Sequence, residues 1–196
     1  MADVAGLILA AGQSKRMGRP KMTMTWGDTT IIGQVAHTLL QGGASPVVAV
    51  TGGMRQEVEE ALREMPVSTV FNPGYESGGM ISSVHAGLQA LDKQTTAVLV
   101  TLGDQPQIQV AVVQELIGEY HDSRALLIVP SYQMRRGHPW LVSRELWQEI
   151  LGLQPPLTLR DFLTQQASKI HYLPVDSASV VQDIDTPEQY EQYRPK

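Results

Sequence analysis

Short apolar runs alternate with helical patterns over the first two thirds of the chain, and this alternation constrains the fold most strongly. The runs over residues 4–10, 46–51, 67–71, 96–102 and 125–130 have the length and composition of strands. Between them, apolar residues recur three and four positions apart, which predicts one amphipathic helix after each of the first four runs. Near-continuous apolar strands that alternate with helices predict an α/β fold, with a mostly parallel sheet covered on both faces.

The last third of the chain has a less regular pattern. A polar, turn-rich stretch over residues 131–140 precedes two helical segments and an apolar run over 169–175. The stretch "VVQDIDTPEQYEQY" predicts a strand that meets a helix, with Thr186 as N-cap, Pro187 at the first helical position and Gln189 closing a capping box. We find no repeat and no linker long enough to divide the chain, and therefore expect residues 1–196 to form one domain.

Charge and cysteine content exclude several classes of function. The formal net charge is −5 and the chain has no cysteine. The acidic balance argues against a general nucleic-acid or anionic-membrane partner, and disulfides and thiolate chemistry are excluded. No stretch of about 18 apolar residues occurs, and the apolar run at the start is too short for a signal peptide. We therefore expect a cytoplasmic protein that binds neither nucleic acid nor membrane.

The loop after the first strand concentrates positive charge. In "LILAAGQSKRMGRPK", Gly12 and Gly18 enclose a basic segment, and Lys21 follows. The spacing matches neither the dinucleotide-binding nor the Walker A pattern. Glycine lets backbone amides approach anionic oxygens, and the loop after the first strand of a parallel sheet is a usual phosphate site. The loop is long enough to surround a triphosphate; the alternative is a solvated basic loop.

Five motifs in order carry a resemblance to a known family. "LAAGQSKRMGRPK", "NPGYESGGMISSVHAGL", "TLGDQP", "PSYQMRRGHP" and "DIDTPEQY" resemble those of the MobA-like nucleotidyltransferases, and within them the MocA-type molybdenum cofactor cytidylyltransferases. The resemblance implies a single domain with a three-layer Rossmann-like nucleotidyltransferase fold. It also implies transfer of CMP from CTP to the terminal phosphate of molybdenum-molybdopterin, with release of pyrophosphate. A recipient molybdoenzyme or its chaperone is the protein partner that such a role would involve.

Acidic residues near two strand ends are the candidate metal ligands. Asp104 follows the run 96–102, and magnesium prefers carboxylates combined with water and substrate phosphates. The other interpretation of Asp104 is an ordinary turn residue. The resemblance implies a second ligand near the C-terminal helix, for which we take Asp185, with Asp183 as the backup. The expected cofactor is Mg²⁺.

The resemblance assigns the remaining site residues by motif. We expect catalytic roles for Arg16, Lys21 and Asp104, with Arg16 and Lys21 on the triphosphate. The predicted nucleotide-binding residues lie in the first loop and before the third helix: Leu9, Ala10, Ala11, Gly12, Ser14, Gly18, Lys21, Asn72, Ser77, Gly78 and Ser82. For any one residue of the second segment, an ordinary loop role is the alternative, with Ser77 as a helix cap.

Two residues of the segment "RRGHP" are assigned to the acceptor side. Arg135 or Arg136 is expected to meet the pterin phosphate, and we select Arg136. We assign His138 a structural or substrate-binding role. It is not needed as a general base, because a phosphate monoester arrives largely ionised.

One departure from the family pattern concerns the acceptor. MocA-like proteins carry a G-D-x-G-A-R segment before the helix that here reads "PPLTLRDFL", and Arg160 alone matches it. Two alternatives therefore stay open: transfer to another phosphorylated acceptor, such as a sugar or alditol phosphate, and a non-catalytic chaperone that binds nucleotide or pterin.

Overall fold

An eight-stranded sheet forms the centre of the computed structural model, which describes residues 4–12 and 20–195. In chain order, the strands and α-helices are β1 (Val4–Ala10), β2 (Thr25–Trp26), β3 (Thr29–Thr30), α1 (Ile31–Gln41), β4 (Val47–Thr51), α2 (Arg55–Leu62), β5 (Val67–Phe71), α3 (Gly79–Ala90), β6 (Ala97–Leu102), α4 (Val110–Ser123), β7 (Leu127–Tyr132), β8 (Arg135–Arg136), β9 (Trp140–Ser143), α5 (Trp147–Leu151), α6 (Leu159–Gln165), β10 (Ile170–Pro174) and α7 (Pro187–Tyr193).

The strand order places a topological switch point beside β1. The order is β10-β7-β9-β6-β1-β4-β5, and β8 pairs with β7. All neighbours from β6 to β5 are parallel, whereas β9 runs antiparallel between β6 and β7. The chain passes from β1 to β4 and β5 and then returns to β6 on the other side of β1. Ligands bind at the carboxyl ends of strands where the order reverses in this way.

Helices cover both faces of the sheet and form a three-layer structure. Ile8 of β1 belongs to a core with α1, α2 and α4, whereas Leu7 belongs to the opposite core with α3, α5 and α6. Consecutive strand residues point to opposite faces, so β1 is buried on both sides. The α/β fold with a mostly parallel sheet is confirmed. Among the described residues, no helix is long and apolar enough to cross a membrane.

The first two thirds of the chain follow the predicted element order, and the differences lie elsewhere. The short hairpin β2–β3 was not predicted, and the polar stretch after residue 130 contains β8 and β9. The predicted strand before α7 is wrong, because Ala178–Val181 forms a 3₁₀ helix. There, the Val180 carbonyl accepts a hydrogen bond from the His138 amide instead of pairing in a ladder. The Thr186–Gln189 capping box is confirmed.

Candidate active site

Lys21 joins two aspartates at the carboxyl edge of the sheet. Its Nζ donates to Asp104 Oδ2 at 2.6 Å and to Asp185 Oδ1 at 2.9 Å. Lys21 begins a 3₁₀ turn, Asp104 lies just beyond the end of β6, and Asp185 precedes α7. The three predicted residues therefore meet at one point, although the sequence analysis assigned Lys21 to phosphate and the aspartates to metal.

The aspartates hold Lys21 in its charged form. Its side chain is only 9% exposed, so burial disfavours the ammonium and lowers its pKa. The charges of Asp104 and Asp185 and their hydrogen bonds act in the opposite direction and prevail, so the pKa of Lys21 lies above its ordinary value. The ammonium is thus a fixed positive charge at neutral pH.

Packing and capping position Asp185. Its backbone amide donates to Gln189 Oε1 at 2.7 Å within the capping box of α7. The neighbouring Ile184 is fully buried in a small cluster with Trp26 and Tyr190, and its amide donates to the Asp104 carbonyl at 3.0 Å. The end of β6 and the start of α7 are therefore bonded directly to each other.

Asp183 belongs to the same acidic group. Burial raises the pKa of its carboxyl, and the neighbouring negative charges of Asp185 and Asp104 raise it further. The charges of Asp185 and Asp104 therefore act on the Asp183 carboxyl, although the three acids do not form a group of metal ligands in the described structure. Which of the two would bind a metal stays a prediction.

The donor set of this cluster fits a divalent cation. Oxygens of Asp104 and Asp185 already converge on one cationic nitrogen. Within residues 4–12 and 20–195, no group of three or more His, Cys, Asp or Glu that could hold a metal is found. Two carboxylates completed by water and substrate phosphates are how Mg²⁺ is usually bound.

A cleft of about 320 Å³ opens beside the cluster. Four predicted residues line it: Leu9, Ala11, Gly12 and Asp104. Gly79 and Ser83, which belong to the predicted nucleotide-binding segment around the start of α3, also line it, whereas the sequence analysis assigned no site role to the other four lining residues, Met22, Tyr75, Met80 and Leu102. Met80 is half-exposed beside the glycines that begin α3. A large apolar residue next to a pair of glycines is the sequence signal that could have identified Met80 as a site residue.

Asn72 supports the loop between β5 and α3 from inside. The side chain is buried, and its amide nitrogen donates to the hydroxyls of Ser82 at 2.8 Å and Ser83 at 3.0 Å. Its oxygen accepts from the Gly74 amide at 2.9 Å. Both amide hydrogens are therefore used on the first turns of α3, so Asn72 is placed to join the loop to that helix rather than to read a base edge.

The other predicted nucleotide-binding residues are distributed differently. Ser77 and Gly78 line a smaller neighbouring cavity, and the N-cap of α3 is Gly78 without a side-chain cap, so Ser77 does not cap the helix. The side chain of Ala10 is buried in the core with α1. The predicted residues Ser14, Arg16 and Gly18 lie outside the described residues.

The two predicted acceptor-side residues have separate environments. The ring of His138 stacks on Trp140 with centroids 4.5 Å apart, and burial lowers its pKa to about 4. The imidazole is therefore neutral at physiological pH, and its stacking on Trp140 indicates a structural role. Arg136 is exposed and donates through Nε to the Tyr172 hydroxyl at 2.8 Å, at the edge of a second and larger cleft.

The neutral imidazole of His138 predicts a loss of stability in mild acid. Between pH 6.5 and about 4, the unfolded chain binds a proton that the native His138 does not, so the free energy of unfolding falls as pH falls. The full effect is about 3 kcal/mol. In His138→Phe, which keeps a ring on Trp140, urea unfolding at pH 7 and pH 4 should show a smaller loss. The exposed His37→Gln variant is the control, and equal losses in His138→Phe and the parent would contradict the assignment.

A cleft at the switch point of a parallel sheet, between Ala11–Gly12 after β1 and a lysine–carboxylate cluster, is the arrangement typical of α/β proteins that bind phosphorylated ligands. The chain belongs to the family described as MobA-like NTP transferase domain, whose model matches residues 6–170. The resemblance in its motifs is thereby confirmed.

Individual relatives differ in activity. The chain is 32% identical to a nicotine blue oxidoreductase of Paenarthrobacter nicotinovorans, over 95% of this chain and 94% of the relative. It is 29% identical to the molybdenum cofactor cytidylyltransferase of Escherichia coli K12, over 97% and 95% of the two chains. The crystal structure of Rv0371c from Mycobacterium tuberculosis is similar with a TM-score of 0.84 at 26% identity, covering 97% of each chain.

Proposed function

We propose that the protein is a nucleotidyltransferase that transfers CMP from CTP to the terminal phosphate of molybdenum-molybdopterin. One observation carries the proposal: Lys21, Asp104 and Asp185 meet beside a cleft at the switch point of the sheet. The family and the cytidylyltransferase relative support it.

In this reaction, an oxygen of the acceptor phosphate attacks the α-phosphorus of CTP. A bond forms between them, the bond from the α-phosphorus to the oxygen bridging to the β-phosphorus breaks, and pyrophosphate leaves. The attacking phosphate is ionised near neutral pH, so no general base is required, consistent with the neutral, partly buried His138. Catalysis then consists of positioning and charge neutralisation.

The chain's own residues supply that charge and positioning. Lys21 provides a cation held at the carboxyl edge of β6, and the role proposed for the backbone amides of Ala11 and Gly12, which line the cleft, is to donate to phosphate oxygens. Arg16 keeps its predicted role on the triphosphate. Asp104 and Asp185 would hold Mg²⁺, which when bound neutralises charge on the phosphates.

The test is pyrophosphate release from CTP with molybdenum-molybdopterin as acceptor. We expect release that requires both substrates and a divalent cation. If a sugar or alditol phosphate supports faster pyrophosphate release, that compound is the acceptor instead. Tight nucleotide binding without pyrophosphate release would favour the chaperone alternative. The oxidoreductase relative motivates a redox assay in parallel, and turnover there without pyrophosphate would overturn the proposal.

Base selectivity gives a separate prediction at Ala11. This residue lines the cleft, and its methyl group packs against Gly52. A Cβ added at Gly52 would lie 2.8 Å from the methyl carbon of Ala11. By the family resemblance, guanylyl-transferring relatives have glycine here, and a methyl takes space that a second purine ring needs. We expect kcat/KM to favour CTP over GTP, and Ala11→Gly to reduce that preference about 10-fold or more. An unchanged CTP:GTP ratio would contradict the steric argument, and a parent preference for GTP would refute cytidylyl transfer.

A further inference from the structure

Lys21 and Asp185 meet beside the cleft, although both lie outside the central sheet. Asp104 directly follows the sheet, because the Gly103 amide at the end of β6 donates to the Leu9 carbonyl of β1 at 3.1 Å. Lys21 instead begins the 3₁₀ turn before β2 and β3, which form a two-stranded sheet of their own, and Asp185 precedes α7. Groups that act together on a ligand must be held to within about 0.5 Å. Contacts outside the central sheet therefore have to set the distance between Lys21 and Asp185.

A small apolar cluster fills the space between the β2–β3 hairpin and α7. Its buried members are Met24, Trp26, Ile31, Ile184 and Tyr190, and it is separate from the two cores that flank the central sheet. The rings of Trp26 and Tyr190 are tilted by 57° with centroids 6.3 Å apart, an arrangement that favours aromatic attraction. A two-stranded hairpin is marginally stable by itself, so its order depends on packing of this kind. We call this group the α7 cluster.

The hairpin and the turn that begins with Lys21 form one hydrogen-bonded unit. The Met24 amide donates to the Lys21 carbonyl at 3.1 Å, and the Ile31 amide donates to the Met24 carbonyl at 2.9 Å. Thr25 pairs with Thr30 across the hairpin. A shift of Thr25 is therefore passed to Lys21, which lies four positions earlier in the same unit.

Asp185 and the first turn of α7 form a second unit. The amides of Asp185 and Thr186 donate to Gln189 Oε1 at 2.7 Å and 3.0 Å. The Tyr190 amide donates to the Thr186 carbonyl at 3.0 Å. Tyr190 is thus fixed relative to Asp185, five positions earlier, by the capping box.

A side-chain hydrogen bond joins the two units. The Tyr190 hydroxyl donates to the Thr25 carbonyl at 2.6 Å, across 165 positions of the chain. This distance is at the short end of the range for O–H···O bonds. Tyr190 is only 6% exposed, so water does not readily replace the hydroxyl. The bond sets the distance between Thr25 and α7, and with it the distance between Lys21 and Asp185.

We propose that Tyr190 is a positioning residue, whose hydrogen bond to the Thr25 carbonyl holds Lys21 against Asp185 and keeps the ammonium at the cleft. It acts through these two residues, because Tyr190 itself does not line the cleft. The inference rests on the proposed function for its effect on turnover. It rests on the α7 cluster alone for its effect on the Lys21–Asp185 pair.

The test begins with Tyr190→Phe, which removes the hydroxyl and keeps the ring on Trp26. Tyr193→Phe is the matched control, because Tyr193 lies on the same helix and packs against the α7 cluster. Among the described residues, its hydroxyl makes no hydrogen bond. We expect Tyr190→Phe to lower kcat for pyrophosphate release about 3- to 10-fold, as for the loss of one buried hydrogen bond, and Tyr193→Phe to stay within about twofold of the parent.

Two further readouts separate positioning from a general loss of packing. Hydrogen exchange of the Lys21 ammonium, followed by NMR of protein labelled at the lysine nitrogen and assigned with Lys21→Arg, reports how often the ion pair opens. We expect exchange about 3- to 10-fold faster in Tyr190→Phe and within about twofold of the parent in Tyr193→Phe. In a Lys21→Met background, Tyr190→Phe should lower kcat by less than about twofold, because the group that it positions is absent. If Lys21→Met does not fold, Asp185→Asn takes its place in this comparison.

Unchanged ammonium exchange in Tyr190→Phe, or an equal change in Tyr193→Phe, would overturn the positioning role. A full loss of kcat repeated in the Lys21→Met background would do the same. Faster exchange in Tyr190→Phe together with no pyrophosphate release by the parent keeps the positioning role and refutes the transferase. Release by the parent with kcat unchanged in Tyr190→Phe keeps the transferase and refutes Tyr190 as a positioning residue.

Discussion

Lys21→Ala is expected to lower the rate of pyrophosphate release about 100- to 1,000-fold, because under the proposed function the variant loses a cation that neutralises charge on the transferring phosphates. The structure adds a second consequence. Without the ammonium, Asp104 and Asp185 face each other uncompensated, and Asp183 adds further negative charge. Breaking a largely buried ion cluster by removing one partner destabilises the fold, and we expect a melting temperature lower by about 4–8 °C.

Magnesium should then stabilise this variant more than the parent, since a divalent cation binds where the carboxylates are uncompensated. Thermal melts with and without Mg²⁺, beside pyrophosphate assays, measure both effects. The control Lys93→Ala removes an exposed lysine and should change neither the rate of pyrophosphate release nor the melting temperature. A rate equal to that of the parent would remove Lys21 from the reaction. A variant that Mg²⁺ does not stabilise would show that the aspartates hold no cation.

Asp104→Asn is expected to raise the Mg²⁺ concentration for half-maximal rate about tenfold or more. A carboxylate contributes charge and a hard oxygen, whereas an amide keeps only the oxygen. The rate at saturating Mg²⁺ should also fall, because Asp104 accepts a 2.6 Å hydrogen bond from Lys21 and helps to hold its ammonium in place. Magnesium titrations of the steady-state rate measure both quantities.

Related variants assign the second ligand. Asp185→Asn should shift the magnesium titration as Asp104→Asn does, and Asp183→Asn should shift it less. Asp122→Asn, at an exposed position on α4, is the control. If Asp104→Asn titrates with magnesium as the parent does, Asp104 is not a ligand. If Asp183→Asn has the larger effect of the two, the backup assignment replaces Asp185.

The order of strand and helix patterns along the chain was enough to predict the architecture and part of the candidate site. Strand and helix periodicities are local, and parallel strands bring their carboxyl ends to one edge wherever helices connect them. The residues that follow β1 and β6 therefore had to lie near each other, which is why Gly12 and Asp104 were placed correctly beside one cleft. The capping box likewise marked the start of α7, because its signal spans only four residues.

Other features depended on contacts between distant residues. Lys21 lies 83 positions from Asp104 and 164 from Asp185, and no local pattern indicates that one ammonium bonds to both. Asn72 has a side-chain amide of the kind that reads base edges, yet that amide bonds to Ser82 and Ser83 of α3 and to the Gly74 amide of its own loop.

The larger cleft beside Arg136 and Tyr172 shows the same division most clearly. Its walls come from a turn that the sequence analysis treated as an irregular polar stretch and from a strand about 40 residues later in the chain. The sequence by itself determined the layered sheet and the chemical groups at its carboxyl edge, through periodicity and chain order. Which of those groups pair with each other, and which are left facing a cleft, was decided only by tertiary packing, because side-chain partners across the sheet edge depend on the spatial order of strands.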